Sequence, residues 1–126
     1  MFANTKATNG FAVDDIEAAK RFYEETLGLG IETLSEEFGL ASIKLAGGRD
    51  TLMYGKPDFV PATYTILNFE VDDIDAAVDA LTERGVQMER YDDFDQDEKG
   101  IARGPGPSIA WFKDPAGNIL SVLQQP

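Results

Sequence analysis

Phe69 to Ala77 reads FEVDDIDAA, and Phe11 to Ala19 reads FAVDDIEAA. Phe, Val, two Asp, Ile and two Ala recur at the same places, and the exchange of Glu17 for Asp75 keeps its charge. Convergent helix caps would explain the aspartates. They would not explain the matching Phe-x-Val before them and Ile-x-Ala-Ala after them. Self-similarity of this kind implies two similar modules in one chain.

Each copy has a local reading. Phe11 and Val13, like Leu67, Phe69 and Val71, alternate with smaller or polar residues, as a strand with one apolar face does. Asp14 and Asp72 are then placed to cap a helix, with Glu17 and Asp75 three residues on in capping-box position. The first helix offers Ile16, Ala19, Phe22, Tyr23 and Leu27 on one face, the second Ile74, Ala77, Val78 and Leu81, both with helical spacing. Gly28 and Gly85 supply the left-handed residue that stops each helix. Phe11 and Phe69 are expected to be matching core anchors beneath their helices.

At 126 residues the chain has the length of one domain with a modest core. No apolar run approaches the roughly 18 residues of a membrane span, and the opening MFANTKATNG lacks the charged-then-apolar pattern of a signal peptide. Neither Cys nor His occurs. Disulfides, zinc–thiolate sites and Ser-His or Cys-His catalysis are thereby excluded, and the cytoplasm is the default location. A net charge of −12 argues against nucleic acid as a partner. It suits a cationic small ligand, because an acidic cleft concentrates cations.

Taken in order, residues 5–13 read as a strand, 14–27 as a helix, and 29–34, 40–45 and 51–54 as three further strands, the last two joined by a Gly47-Gly48-Arg49-Asp50 turn. Module one thus spans about 5–54. The segment GKPDFVPA, 55–62, is a linker, and module two spans about 63–124. That module repeats the order: a strand at 63–71, a helix at 72–84, a strand near 86–90, then strands at 109–113 and 119–123 around the turn Asp114-Pro115-Ala116-Gly117-Asn118. The stretch 91–108, YDDFDQDEKGIARGPGPS, is polar, rich in Gly and Pro, and expected to hold no core residue. Loops of such length are often binding segments or lids. Asp93, Asp95 and Asp97 open with the spacing of a calcium hand. Glu98 and Gly104 then stand where that loop requires Gly and Glu, so calcium is rejected.

Two βαβββ units with VDDIEAAKRFYEETLGL at 13–29, VDDIDAAVDALTERG at 71–85 and FKDPAGNILSVLQ at 112–124 resemble the vicinal oxygen chelate superfamily, the group of glyoxalases, bleomycin-resistance proteins and extradiol dioxygenases. The resemblance covers nearly the whole chain, 1–126, as a single domain. It implies an α+β fold in which two βαβββ modules form a curved mixed sheet around a cleft, and a homodimer that takes a small-molecule ligand.

In the metal enzymes of that superfamily four cleft-facing His, Gln or Glu side chains hold a divalent ion. Carried onto this sequence, those positions fall at Thr8, near Tyr54, at Ile66 and at Ser121. A divalent metal needs several N or O donors, and Ile66 offers none, so no metal and no other cofactor is expected. Strand parity nominates the cleft lining: Thr8 and Gly10, Leu52 and Tyr54, Tyr64, Ile66 and Asn68, and Ile119, Ser121 and Leu123. Trp111, the single tryptophan, is a further candidate for ligand contact, set against simple core packing. Arg103 is the candidate in the lid, either clamping an anion or standing in solvent.

Two functions stay open. The preferred one is a metal-free protein that binds a small molecule, as the bleomycin-resistance branch does. The other is a glyoxalase-, isomerase- or dioxygenase-type enzyme with a carboxylate or tyrosine base such as Glu70 or Tyr54. A carboxylate base would need burial to lift its pKa toward neutrality. No catalytic residue is assigned.

Overall fold

Both helices are capped one residue later than their first aspartate. In the computed structural model, which describes residues 1–126, the caps are Asp15 and Asp73, not Asp14 and Asp72. Each holds an extended backbone, and its carboxylate accepts the N–H three residues on, Ala18 or Ala76, at 3.1 Å. Asp14 is spent on its neighbour, accepting the Asp15 N–H at 2.8 Å. Glu17 and Asp75 therefore miss the capping-box position. They still lie in the first turn, where the positive end of the helix favours an acid.

The first of two compact units, Met1–Val60, contains β1 (Gly10–Val13), α1 (Ile16–Arg21), a π-helical turn (Phe22–Thr26), β2 (Gly30–Ser35), β3 (Leu40–Lys44) and β4 (Thr51–Gly55). Its sheet runs β1-β4-β3-β2, with β1 parallel to β4 and the other pairs antiparallel. The strand expected from residue 5 begins only at Gly10, so Thr8 lies outside it. Residues 1–10 are exposed and offer no apolar face to bury. The expected single helix changes pitch at Phe22, where the Leu27 N–H reaches back to the Phe22 carbonyl at 3.1 Å. Tyr23 is fully buried there and meets the rings of Phe11 and Phe22. Val13, Ala19, Tyr23, Ala41, Ile43 and Met53 form this core.

The second unit, Pro61–Pro126, contains β5 (Thr65–Glu70), α2 (Ile74–Glu83), β6 (Ser108–Lys113) and β7 (Ile119–Gln124), in a sheet ordered β5-β7-β6. Here β5 is parallel to β7, and β6 is antiparallel to it. Ile74, Val78 and Leu81 of α2 are buried with Ala110, Phe112, Leu120 and Val122 of the sheet. The chain is thus α+β, with two βαβββ-like units and mixed sheets. Phe11 and Phe69, expected as core anchors, are only half-buried, on the edge strands β1 and β5.

The strand expected near 86–90 does not form. That stretch touches β6 through one backbone bond, from the Glu89 N–H to the Trp111 carbonyl at 2.8 Å. Ala102 bonds the same edge two residues along, exchanging two hydrogen bonds with Ile109 and bridging on to Gln96. The region expected to hold no core residue therefore buries one: Ile101 is 1% exposed.

Candidate functional site

A hollow lined largely by aromatic rings lies wholly in the second unit. It has a volume of about 290 Å³ and is lined by Thr63, Tyr64, Thr65, Tyr91, Phe94, Trp111 and Ile119. Four of those seven side chains are aromatic, and two are hydroxyl-bearing threonines. The position of each follows from register.

Opposed residues in neighbouring strands point to the same face of a sheet. Trp111 pairs with Ser121, and Ser121 with Asn68, so these three form one row across β6, β7 and β5. Within it the Ser121 hydroxyl, fully buried, donates to the Asn68 Oδ1 at 2.5 Å. One step along, Ile119 pairs with Lys113 and Thr65. A shift in register at Ile66 sets two residues of β5 against one of β7. Thr65 rather than Ile66 thereby joins Ile119 at the hollow, and strict alternation of Tyr64, Ile66 and Asn68 fails.

The outer wall is an arch of chain, 91–95. Tyr91 meets Trp111 edge-on with ring centroids 5.4 Å apart, and Phe94 lies tilted against it at 4.7 Å. Under these rings Trp111 is only 7% exposed, whereas Phe94 and Tyr64 keep 50% and 69% of their surfaces in solvent. The Tyr91 hydroxyl is buried and has no hydrogen-bond partner in the protein. Burial pushes its pKa up, and the nearby Glu89 carboxylate adds to the shift.

Charge surrounds the arch unevenly. Arg90 is spent on the carbonyls of Asp97 and Glu98, and Lys113 faces Glu89 at 3.7 Å. Arg103, the lid candidate, pairs with Asp75 at 2.8 Å and Asp97 at 3.1 Å, and Lys99 with Asp75 and Asp79. Asp92, Asp93 and Asp95, which bracket Phe94, have no cation within ion-pair distance and stand exposed.

Of the residues nominated from sequence, Tyr64, Trp111 and Ile119 line this hollow. Asn68 and Ser121 are bonded to each other in the adjoining row, and Ile66 sits at the register shift. In the first unit Gly10 pairs with Leu52, close enough that a Cβ on Gly10 would meet the Leu52 carbonyl at 3.2 Å. Tyr54 is 39% exposed, and Thr8 lies in the exposed segment before β1. Sequence reasoning missed Thr63, Thr65, Tyr91 and Phe94. The aromatic pair in YDDF was the available signal for the last two, and nothing in the sequence marked the register shift.

The positions that hold metal in the superfamily's enzymes do not fit that role. Ile66 has no donor atom, and the Ser121 hydroxyl is buried with Asn68 as its partner. No group of three or more Asp or Glu side chains is arranged to hold an ion. The proposed bases fare no better as buried acids: Glu70 is exposed, accepting from Gln125 at 3.1 Å. No helix is long and apolar enough to cross a membrane.

The fold is shared with TnmS3, an antibiotic binding protein from Streptomyces sp. CB03234, at 26% identity over 98% of both chains with a TM-score of 0.73. A glyoxalase/bleomycin resistance protein from the same organism is 27% identical, over 94% of this chain and all of that one, with a TM-score of 0.66. A member of the same superfamily from Sphaerobacter thermophilus DSM 20745 superposes with a TM-score of 0.70 at 24% identity, over 95% of this chain and 98% of its own. No curated protein matches the sequence significantly. Residues 7–122 match the family described as the glyoxalase/bleomycin resistance protein/dioxygenase superfamily, and the chain belongs to it.

Proposed function

We propose that this protein binds a small aromatic cation, without a metal, in the hollow between β5, β6, β7 and the 91–95 arch. The observation that carries the reading is the ring of Tyr64, Tyr91, Phe94 and Trp111 around a space of about 290 Å³. That volume is close to the lower end for small-ligand sites, and such sites are commonly apolar with a few polar groups. Aromatic faces attract flat rings and cations alike. The unpaired Asp92, Asp93 and Asp95 at the arch, together with the net charge of −12, favour a positive ligand over a negative one. The likeness to an antibiotic binding protein supports binding rather than turnover as the role.

Titration with ethidium, a planar aromatic cation, and with the anionic anilinonaphthalene sulfonate tests this. Ethidium is expected to quench Trp111 fluorescence saturably, with affinity falling as salt rises. Preference for the anion, or quenching unchanged when Phe94 and Tyr64 are both replaced by Ala, would remove the basis for the assignment.

A further inference from the structure

The arch that supplies two of the four aromatic walls is clamped at its base by two side chains, Arg90 on the carbonyls of Asp97 and Glu98, and Gln96, the only one that bonds the backbone of a wall residue, Tyr91. The Gln96 Oε1 accepts the Tyr91 N–H at 2.8 Å, and the Gln96 Nε2 donates to the Glu89 carbonyl at 3.0 Å and the Gly100 carbonyl at 2.7 Å. These three bonds join the residues on both sides of the arch to the turn beneath it. Glu89 is in turn fixed to β6 through its N–H on the Trp111 carbonyl, and Gly100 lies buried beside Ile101. Inside the arch the Phe94 N–H donates to the Tyr91 carbonyl at 3.1 Å, which closes the turn but does not tie it to the sheet. The exposed side chains of Asp92, Asp93 and Asp95 reach no cation either.

Something must hold the arch closed, because closure has a cost. The Tyr91 hydroxyl is buried without a partner, and an orphaned buried donor opposes the state that buries it. The three Asp carboxylates also repel one another across a short turn. The ring contacts on Trp111 and the amide of Gln96 act against both effects.

We infer that Gln96 is a positioning residue for the ligand site: its amide sets Tyr91 and Phe94 over Trp111 and so sets affinity, without touching the ligand. The inference rests on the proposed function for its consequence, but its geometry is testable without any ligand. Only an amide at this length satisfies the arrangement. A carboxylate keeps the acceptor for Tyr91 and sets a negative charge against two carbonyl oxygens, and alanine loses all three bonds.

Trp111 is the single tryptophan, so its quenching by acrylamide reads the arch directly. Gln96→Ala and Gln96→Glu are expected to raise the quenching constant while the far-ultraviolet circular dichroism stays as in the parent. Ethidium affinity should fall roughly tenfold, the equivalent of one good hydrogen bond. Ile101→Val, which loosens the same loop from its buried end, is the control, compared at a temperature equally far below its own midpoint. Should Trp111 stay equally protected in the Gln96 variants, or should Ile101→Val expose it as much, Gln96 is an ordinary structural residue and the inference fails. If the parent binds no ethidium, the proposed ligand class fails while the quenching result still decides the role of Gln96.

Discussion

The Phe94 ring lies 4.7 Å from that of Trp111, centroid to centroid, with the planes tilted by 42°. Phe94 is half in solvent and Trp111 almost entirely out of it. One partner is therefore a cover and the other a floor, and under the proposed function a ligand must pass or replace the contact between them.

Removing the cover should matter more for binding than for folding. Phe94→Ala is expected to leave the thermal midpoint within a few degrees, since the lost pair is worth about 0.5–1.5 kcal/mol. Trp111 emission should shift to the red and ethidium affinity should fall severalfold. Unchanged emission would mean that Trp111 is shielded by other groups.

Tyr91→Phe is expected to stabilise the protein. The change deletes a hydroxyl that is buried and unpaired, and relief of such a group is worth about 1–3 kcal/mol at most. Chemical denaturation should give a higher midpoint with an unaltered slope. A lower midpoint would show that the hydroxyl has a partner in solution.

The duplicated caps give a paired test. Asp15→Ala and Asp73→Ala should each cost about 1 kcal/mol, as loss of an N-cap does. Asp14→Ala and Asp72→Ala should cost much less, because neither carboxylate reaches the N–H groups of the first helical turn. Equal losses from the first and second aspartate of either pair would put the caps back where the sequence pattern alone had them.

Arg103 ties the 97–103 turn to α2, and the link is sensitive to acid. Its hydrogen bond holds the Asp75 carboxyl below the ordinary value of 3.8. For Asp97 burial pulls upward, and the Ile101 N–H, Arg103 and the Lys99 N–H together outweigh it, so that its pKa is lowered as well. A folded pKa below the unfolded one means stability that is present above pH 3.8 and lost as the pH falls through the lower folded values. Arg103→Met should flatten that acid limb by lowering stability near neutrality while leaving it unchanged below the folded values, and the drop should be small because exposed pairs contribute little. An identical acid profile in the variant would show the pairs to be incidental.

Added zinc, nickel or manganese is expected to leave the thermal midpoint unchanged, and purified protein is expected to contain no stoichiometric transition metal. The donor-free Ile66 and the Asn68-bonded Ser121 are the reason. One equivalent of bound metal that is lost in Ser121→Ala would overturn this.

The sequence by itself determined the α+β architecture and its internal repeat. VDDIEAA and VDDIDAA carry strand end, cap and helix face within seven residues, and these depend on local backbone preference and one apolar period. It also excluded histidine and cysteine chemistry, which needs only a count. Tertiary structure alone decided which side chains meet. Val86 to Arg90 reads as a strand, yet it bonds the edge of β6 only through Glu89 on Trp111, and Ala102 bonds the same edge two residues along at Ile109. The register shift at Ile66 turns Thr65 to the hollow, an outcome of pairing with β7 that no local pattern encodes. Tyr91 and Phe94 look like loop residues until the arch folds back. They line the hollow where the arch folds back, and there Gln96, five residues after Tyr91, bonds backbone groups of Glu89, Tyr91 and Gly100 that are distant in the extended chain and adjacent in the folded one.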